Sequence, residues 1–233
     1  MRKKLIVANW KSNKNPSEAK DWLDEFKLKL EFTKLNNDNI EVVICPPYID
    51  LPVLKDTLKI LSFPFSVSLG SQDVSHFPDG SYTGCVSVNQ IKDFVSYSLV
   101  GHSERKKYFN EQIENIETKI DFLLPFGIKP IVCAGSEQDL PGNIKKYNPQ
   151  QIAIMFEPPS AISKNGVFEA VDPAKVEETI SSWQNKYGPY QFLYGGSVNS
   201  ENAKSLLLAG AEGFVSGKAS LNVDSFIEIL QNV

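Results

Sequence analysis

At 233 residues the chain is long enough for one or two domains, and α/β barrels reach this size as a single domain. With 42% hydrophobic and 22% charged residues, a net charge of -4 and no basic stripe, it argues against nucleic acid as a main partner; no apolar run approaches a membrane span. Cys45, Cys85 and Cys133 are odd in number and follow neither CxxC nor zinc spacing, which favours a reducing, cytoplasmic setting and offers no metal-ligand cluster.

The start, MRKKLIVANWKSN, lacks the apolar core of a signal peptide, and its LIVA stretch reads as a first strand. Strands are expected at 5–9, 40–45, 65–70, 97–101, 129–134, 152–156, 191–194 and 213–216. Most are near-continuous apolar runs, as parallel strands covered on both faces require. Helices fit between them. Asn15-Pro16-Ser17-Glu18 supplies a cap, a proline in the first turn and a glutamate at N3, and Ala19, Trp22, Leu23, Phe26 and Leu30 follow at helical spacing. Ile113, Ile116, Ile120 and Leu123 do the same, as do Val176, Ile180 and Trp183 behind Asp172-Pro173. Further helices are expected from near Asn199 to Gly210 and over 223–231. The stretch between Gly135 and Glu157 carries no apolar stripe and reads as a loop-like, shortened connection after strand five. Eight strands with interleaved helices predict one (β/α)8 barrel domain over 1–233, the alternative being an open doubly wound sheet.

In such a barrel the chemistry sits at the C-terminal ends of several strands. Strand one ends in Asn9-Trp10-Lys11, strand four in Gly101-His102-Ser103-Glu104, strand six in Glu157, strand seven in Gly195-Gly196-Ser197 and strand eight in Gly217-Lys218. Singly, a strand-end histidine is more often structural than catalytic, and a lone Lys11 or Glu157 more often a solvated charge. Together on the ends of strands one, four and six, with glycine turns after strands seven and eight, they form a constellation. The glycine turns after strands seven and eight offer backbone N–H groups ahead of helices, the usual way to hold phosphate. Pro158-Pro159 after Glu157 removes two donors and stiffens the chain where the strand stops.

The motifs ANWKSN (8–13), YTG (82–84), VGHSERK (100–106), FEPP (156–159), YGGSVNSENAKSLL (194–207) and SGKAS (216–220) resemble those of the triosephosphate isomerase family, in order and over nearly the whole chain. The resemblance implies a TIM barrel that interconverts dihydroxyacetone phosphate and glyceraldehyde 3-phosphate, in glycolysis and gluconeogenesis, with no cofactor or metal. It maps Asn9 and Lys11 onto the substrate-binding pair, His102 onto the electrophile and Glu157 onto the catalytic base. Ser163, Ser197, Gly217 and Lys218 fall where the family grips phosphate; the Lys218 side chain either adds charge there or points to solvent. The resemblance also implies a homodimer through the 75–84 loop, Thr83 lying close to Asn9–Lys11 of the partner subunit, with a tetramer as the alternative.

There are departures. The family segment EPVWAIGTGK is EPPSAISKNG here: Pro159 replaces valine, as in archaeal members, Ser160 replaces tryptophan, and Ser163 replaces a glycine whose amide holds phosphate. Cys85 stands where the family has glutamate near the subunit contact, and CAGS replaces CVGE after strand five. His76 reads as an ordinary loop residue. Two other functions compete with the isomerase. A different phosphosugar-binding barrel would keep the phosphate turns without needing Asn9, Lys11, His102 and Glu157 together. A catalytically silent homologue, acting as a phosphosugar-binding or scaffold protein, would have no reason to spare all four.

Overall fold

A computed structural model describes residues 2–33, 35, 38–158 and 171–233. Eight parallel strands close into a barrel in chain order: β1 Lys4–Asn9, β2 Ile40–Cys45, β3 Ser66–Ser71, β4 Tyr97–Val100, β5 Lys129–Ala134, β6 Ala153–Phe156, β7 Gln191–Tyr194 and β8 Gly213–Ser216. Closure comes from β1 pairing with β8, Leu5 opposite Gly213 and Ala8 opposite Ser216. Side chains alternate along each strand. Leu5, Val7, Val43, Leu99, Ile131 and Val215 are among those that fill the barrel, while Ile6, Ala8, Val42, Val132 and Phe214 face the helices. This double burial is why the strands read as continuous apolar runs rather than alternations. The open doubly wound alternative is excluded by the closed sheet.

The helices among the described residues are α1 Pro16–Thr33, α2 Leu51–Ile60, α3 Val88–Ile91, α4 Ser103–Phe109, α5 Ile113–Leu123, α6 Pro173–Tyr187, α7 Ala203–Leu208 and α8 Val223–Gln231. The sequence cap of α1 forms: Asn15 Oδ1 accepts from the Ser17 and Glu18 amides at 3.0 and 3.1 Å, while Glu18 Oε2 accepts from Asn15 N at 2.9 Å. The expected apolar stripe of α1, Ala19 to Leu30, is the buried face. Asp172 caps α6 through Ala174 N. Between β5 and β6 the chain makes only two short 3-10 turns, Glu137–Asp139 and Ile144–Lys146, so this connection holds no α-helix.

The helix expected from near Asn199 has its regular part from Ala203, and Asn199 caps the turn that leads into it. As at Asn15, Asn199 Oδ1 accepts from Glu201 N and Asn202 N, Asn202 Oδ1 accepts from Asn199 N, and the Asn199 carbonyl accepts from Ala203 N at 3.1 Å; Asn202 Nδ2 also donates to Ser197 O. The Gly195–Ser197 turn therefore lies just ahead of this capped turn. One expectation needs correction: Gly217 leads into a 3-10 turn, Lys218–Leu221, and α8 starts only after its own cap, Asn222, whose Oδ1 accepts from Ser225 N. Barrel closure also fixes Gly213: at φ +150° a Cβ there would lie 2.0 Å from Leu5 O, inside the neighbouring strand.

Candidate active site

The strand ends converge on one cavity of about 690 Å³, lined by Asn9, Lys11, His102, Glu157, Gly195, Gly196, Ser197, Gly217 and Lys218 among others. Of the site residues expected from sequence, only Ser163 is missing from this wall, because it lies outside the described residues, as do Pro159 and Ser160. Lys218 is exposed and still lines the cavity.

His102 follows Gly101, whose φ of +73° and crowding by Ile116 Cδ1, 2.6 Å from a built Cβ, admit only glycine without rearrangement. The chain then turns into α4 with His102 as N-cap, its Nδ1 accepting from Glu104 N at 3.3 Å. That bond decides the tautomer. A neutral imidazole that accepts at Nδ1 carries its proton on Nε2, and Nε2 stands 3.2 Å from Glu157 Oε1. Burial holds the His102 pKa below its ordinary value; the Glu157 charge pulls it up and the Lys11 charge pushes it further down. The site thus keeps an uncharged N–H donor against a carboxylate.

Glu157 lies one residue past β6, its amide bonded to Ala134 O, and is 6% exposed. Its carboxylate takes two bonds from a residue that sequence reasoning passed over: Ser103 Oγ donates to Oε1 at 2.8 Å and Ser103 N to Oε2 at 3.1 Å. Ser103 thus holds this base with two donors, and His102 Nε2 lies against it at 3.2 Å.

Lys11 adopts φ +53°, a left-handed conformation unfavourable for a residue with a side chain. Its surroundings enforce it. Asn9 Oδ1 accepts from Lys11 N at 3.2 Å, and Gln72 Nε2 donates to Lys11 O at 2.8 Å and to Cys45 O at 3.0 Å. The ammonium pairs with Glu104 Oε1 at 2.7 Å, both side chains remaining partly exposed. Backbone strain of this kind, held by several independent bonds, is a mark of a functional position. Ser103, Glu104 and Gln72 were missed as site members. The first two lie inside the VGHSERK motif, which was the signal that could have found them; Gln72 carried none.

Beneath this wall runs a buried charge cluster. Lys119, 1% exposed, meets Asp73 Oδ1 at 2.6 Å and Glu111, while Arg105 Nε reaches Asp73 Oδ2 at 2.7 Å. Asp73 follows Gln72, Arg105 lies within α4 and Glu111 two residues past its end, so the cluster ties the support of Lys11 to the helix that His102 caps.

A buried carboxylate beside a neutral imidazole donor, with a fixed ammonium and glycine turns around one cavity, is suited to moving a proton next to a carbonyl in a phosphorylated substrate. The family model for triosephosphate isomerase matches residues 4–233. The chain belongs to the triosephosphate isomerase family. Relatives described as triosephosphate isomerase include those of Dehalococcoides mccartyi, 33% identical over 98% of this chain and 96% of the relative, and Thermus thermophilus, 32% identical over 99% of each. The triosephosphate isomerase of Mycoplasma genitalium is 32% identical over 98% of both chains. Among the described residues no helix is long and apolar enough to cross a membrane.

Proposed function

We propose that the chain interconverts dihydroxyacetone phosphate and D-glyceraldehyde 3-phosphate, with Glu157 carrying the proton between carbons and His102 serving the oxygens. A proton next to a carbonyl is weakly acidic, so its removal needs a placed base together with a donor to the developing enediolate oxygen. The pairing of buried Glu157 with the Nε2–H of neutral His102 carries this reading. A neutral imidazole can give that proton to one oxygen and recover one from the other. Lys11, seated by Asn9, supplies fixed positive charge toward the phosphate and the oxyanion. The Gly195–Ser197 turn, just ahead of the capped turn of α7, and the Gly217–Lys218 turn supply the phosphate wall through their amides. Ser163 completes the grip on this reading.

Residues 1–233 would form a single barrel domain working in the cytoplasm as a homodimer, a tetramer being the alternative. The dimer reading is supported by the 75–84 loop. Nine consecutive residues, 77–85, are exposed, and Phe77 stacks on Tyr82 with centroids 4.3 Å apart, a ring pair left facing solvent. Light scattering of purified protein checks this; a fully active monomer at micromolar concentration counts against it. The function itself is tested by coupled assay in both directions. Turnover of glyceraldehyde 3-phosphate with very poor use of unphosphorylated glyceraldehyde is expected, because phosphate binding energy aligns the reacting groups. A stably folded protein that binds phosphosugars without turning them over would support a silent homologue instead.

A further inference from the structure

The substrate cavity has an apolar floor that the proton transfer does not use. Side chains alternate along β6, so Ala153 and Met155 point into the barrel filling and Glu157 follows them on the same face. Of that filling, Met155 and Val215 line the cavity. Met155 is 1% exposed, and its register partner on β7 is Leu193, another inward residue. Gly195, two positions on, shares that face and lies one strand to the side, within reach of a long side chain. The two strands remain joined there, since Gly195 N donates to Phe156 O at 2.8 Å.

The thioether crosses to that neighbour. A Cβ on Gly195 would fall on Met155 Sδ, with Cγ 2.6 Å and Cε 2.9 Å away, so Met155 fills the place that a side chain at residue 195 would take. Backbone conformation does not ask for glycine here as it does at Gly101 and Gly213, because the φ of Gly195 is not in the left-handed region. Gly196 is closed off by a different group, the Tyr194 ring of its own strand, whose Cζ would stand 2.6 Å from a Cβ. Met155 is therefore what requires glycine at the first position of the turn. The contact acts in both directions: in a close-packed interior, a thioether so placed leaves Gly195 no room to sink toward the barrel.

We propose that Met155 is a positioning residue for the phosphate turn, its thioether reaching from β6 to seat Gly195 and so to set the height of the Gly196 and Ser197 amides that follow. Gly195 N itself is taken by Phe156 O, so those later amides are the ones left to meet a phosphate. Glu157 stands directly above Met155 on β6 but has its own support in Ser103. The effect of Met155 therefore falls on the phosphate end of the substrate rather than on the base.

This role rests on the reading of the Gly195–Ser197 turn as a phosphate wall. Inorganic phosphate, titrated by calorimetry, reads the turn without the chemistry. Met155→Ala should weaken phosphate about five- to twentyfold and raise KM for glyceraldehyde 3-phosphate by a similar factor, the loss of about one hydrogen bond to a charged group. Its kcat should stay within about threefold, and kcat/KM for unphosphorylated glyceraldehyde should hold to within the same factor. Met155→Leu, close in volume, should keep phosphate affinity within about twofold. Gly195→Ala retains the amide and adds only a methyl, so it should weaken phosphate at least about tenfold; combining it with Met155→Ala should recover most of that loss, or restore folding if the single variant lacks it. If Met155→Ala does not fold, Met155→Val removes the same far atoms and takes its place, alone and with Gly195→Ala. Unchanged phosphate affinity in the Met155→Ala or Met155→Val protein, a harmless Gly195→Ala, or a rate loss shared equally by unphosphorylated glyceraldehyde overturns the positioning role. Phosphate binding without turnover by the unaltered protein overturns the isomerase reading alone. Failure of the unaltered protein to bind phosphate overturns the phosphate wall and the role of Met155 with it.

Discussion

Replacing Glu157 by aspartate keeps the carboxylate and withdraws it toward the strand by one methylene, about 1.5 Å. The structure makes the consequence calculable. The present carboxylate is fixed by Ser103 Oγ at 2.8 Å, Ser103 N at 3.1 Å and His102 Nε2 at 3.2 Å, so a retreat of that size breaks all three contacts at their current geometry. A misplacement of about 1 Å at a reacting group costs on the order of 10²-fold in rate, and the full retreat should cost about 10²- to 10³-fold, or roughly 3–4 kcal/mol of barrier. Glu157→Gln keeps the length and removes the proton acceptor, so it should fall further, by at least about 10³-fold. Steady-state kinetics in both directions, with a phosphate-bearing competitive inhibitor to report the shape of the site, separate the two cases. Both variants should bind the inhibitor nearly as the unaltered protein does and lose their rate in kcat. Near-normal kcat in Glu157→Gln would refute Glu157 as the base, and near-normal kcat in Glu157→Asp would refute the claim that its placement matters.

Lys119→Met leaves Asp73 and Glu111 buried with only Arg105 to offset them, and should cost about 3–5 kcal/mol in urea titration, equivalent to a melting point lower by roughly 6–20 °C; a loss below about 1 kcal/mol would mean the cluster is not holding the fold. The lowered pKa of His102 predicts a pH dependence of stability. Below the unfolded value of about 6.5 the unfolded chain binds a proton that the folded site refuses, so this contribution is present above pH 6.5 and is lost as pH falls toward the folded pKa. Comparing the protein with His102→Gln between pH 5 and 8 isolates it, and a stability difference independent of pH would contradict the neutral-imidazole assignment. On the same ground kcat/KM should show no protonation step of His102 at its ordinary pKa, because the imidazole stays neutral through that range; an inflection there that disappears in His102→Gln would contradict it.

What could be read from the sequence depended on which faces each element buries. Most of the strands were legible because both of their faces are covered, leaving apolar runs such as IEVVIC and KPIVCA with little to confuse them. Helices α1, α5, α6 and α8 were legible from a buried stripe and, in α1 and α6, a side-chain cap. Helix α4 gave no such signal, since none of its residues is buried, and α3 is only four residues long. The approach to α7 was legible from Asn199, which caps the turn leading into it, although the regular helix starts only at Ala203.

The same division runs through the site. Sequence alone determined that Asn9, Lys11, His102 and Glu157 stand at strand ends, because strand position and side-chain type are local properties. It could not determine what holds them, because those bonds cross the barrel: Ser103 reaches Glu157 over 54 residues, Lys11 reaches Glu104 over 93, and Gln72 reaches back 61 residues to the Lys11 carbonyl. The bonds from Gln72 that brace the left-handed turn at Lys11, and the burial of Lys119 among carboxylates, likewise exist only once the sheet has closed, whereas the bond that sets the His102 tautomer is local, from Glu104 N two residues on. Closure alone brings these distant partners within hydrogen-bond range and shuts water out around the buried ones.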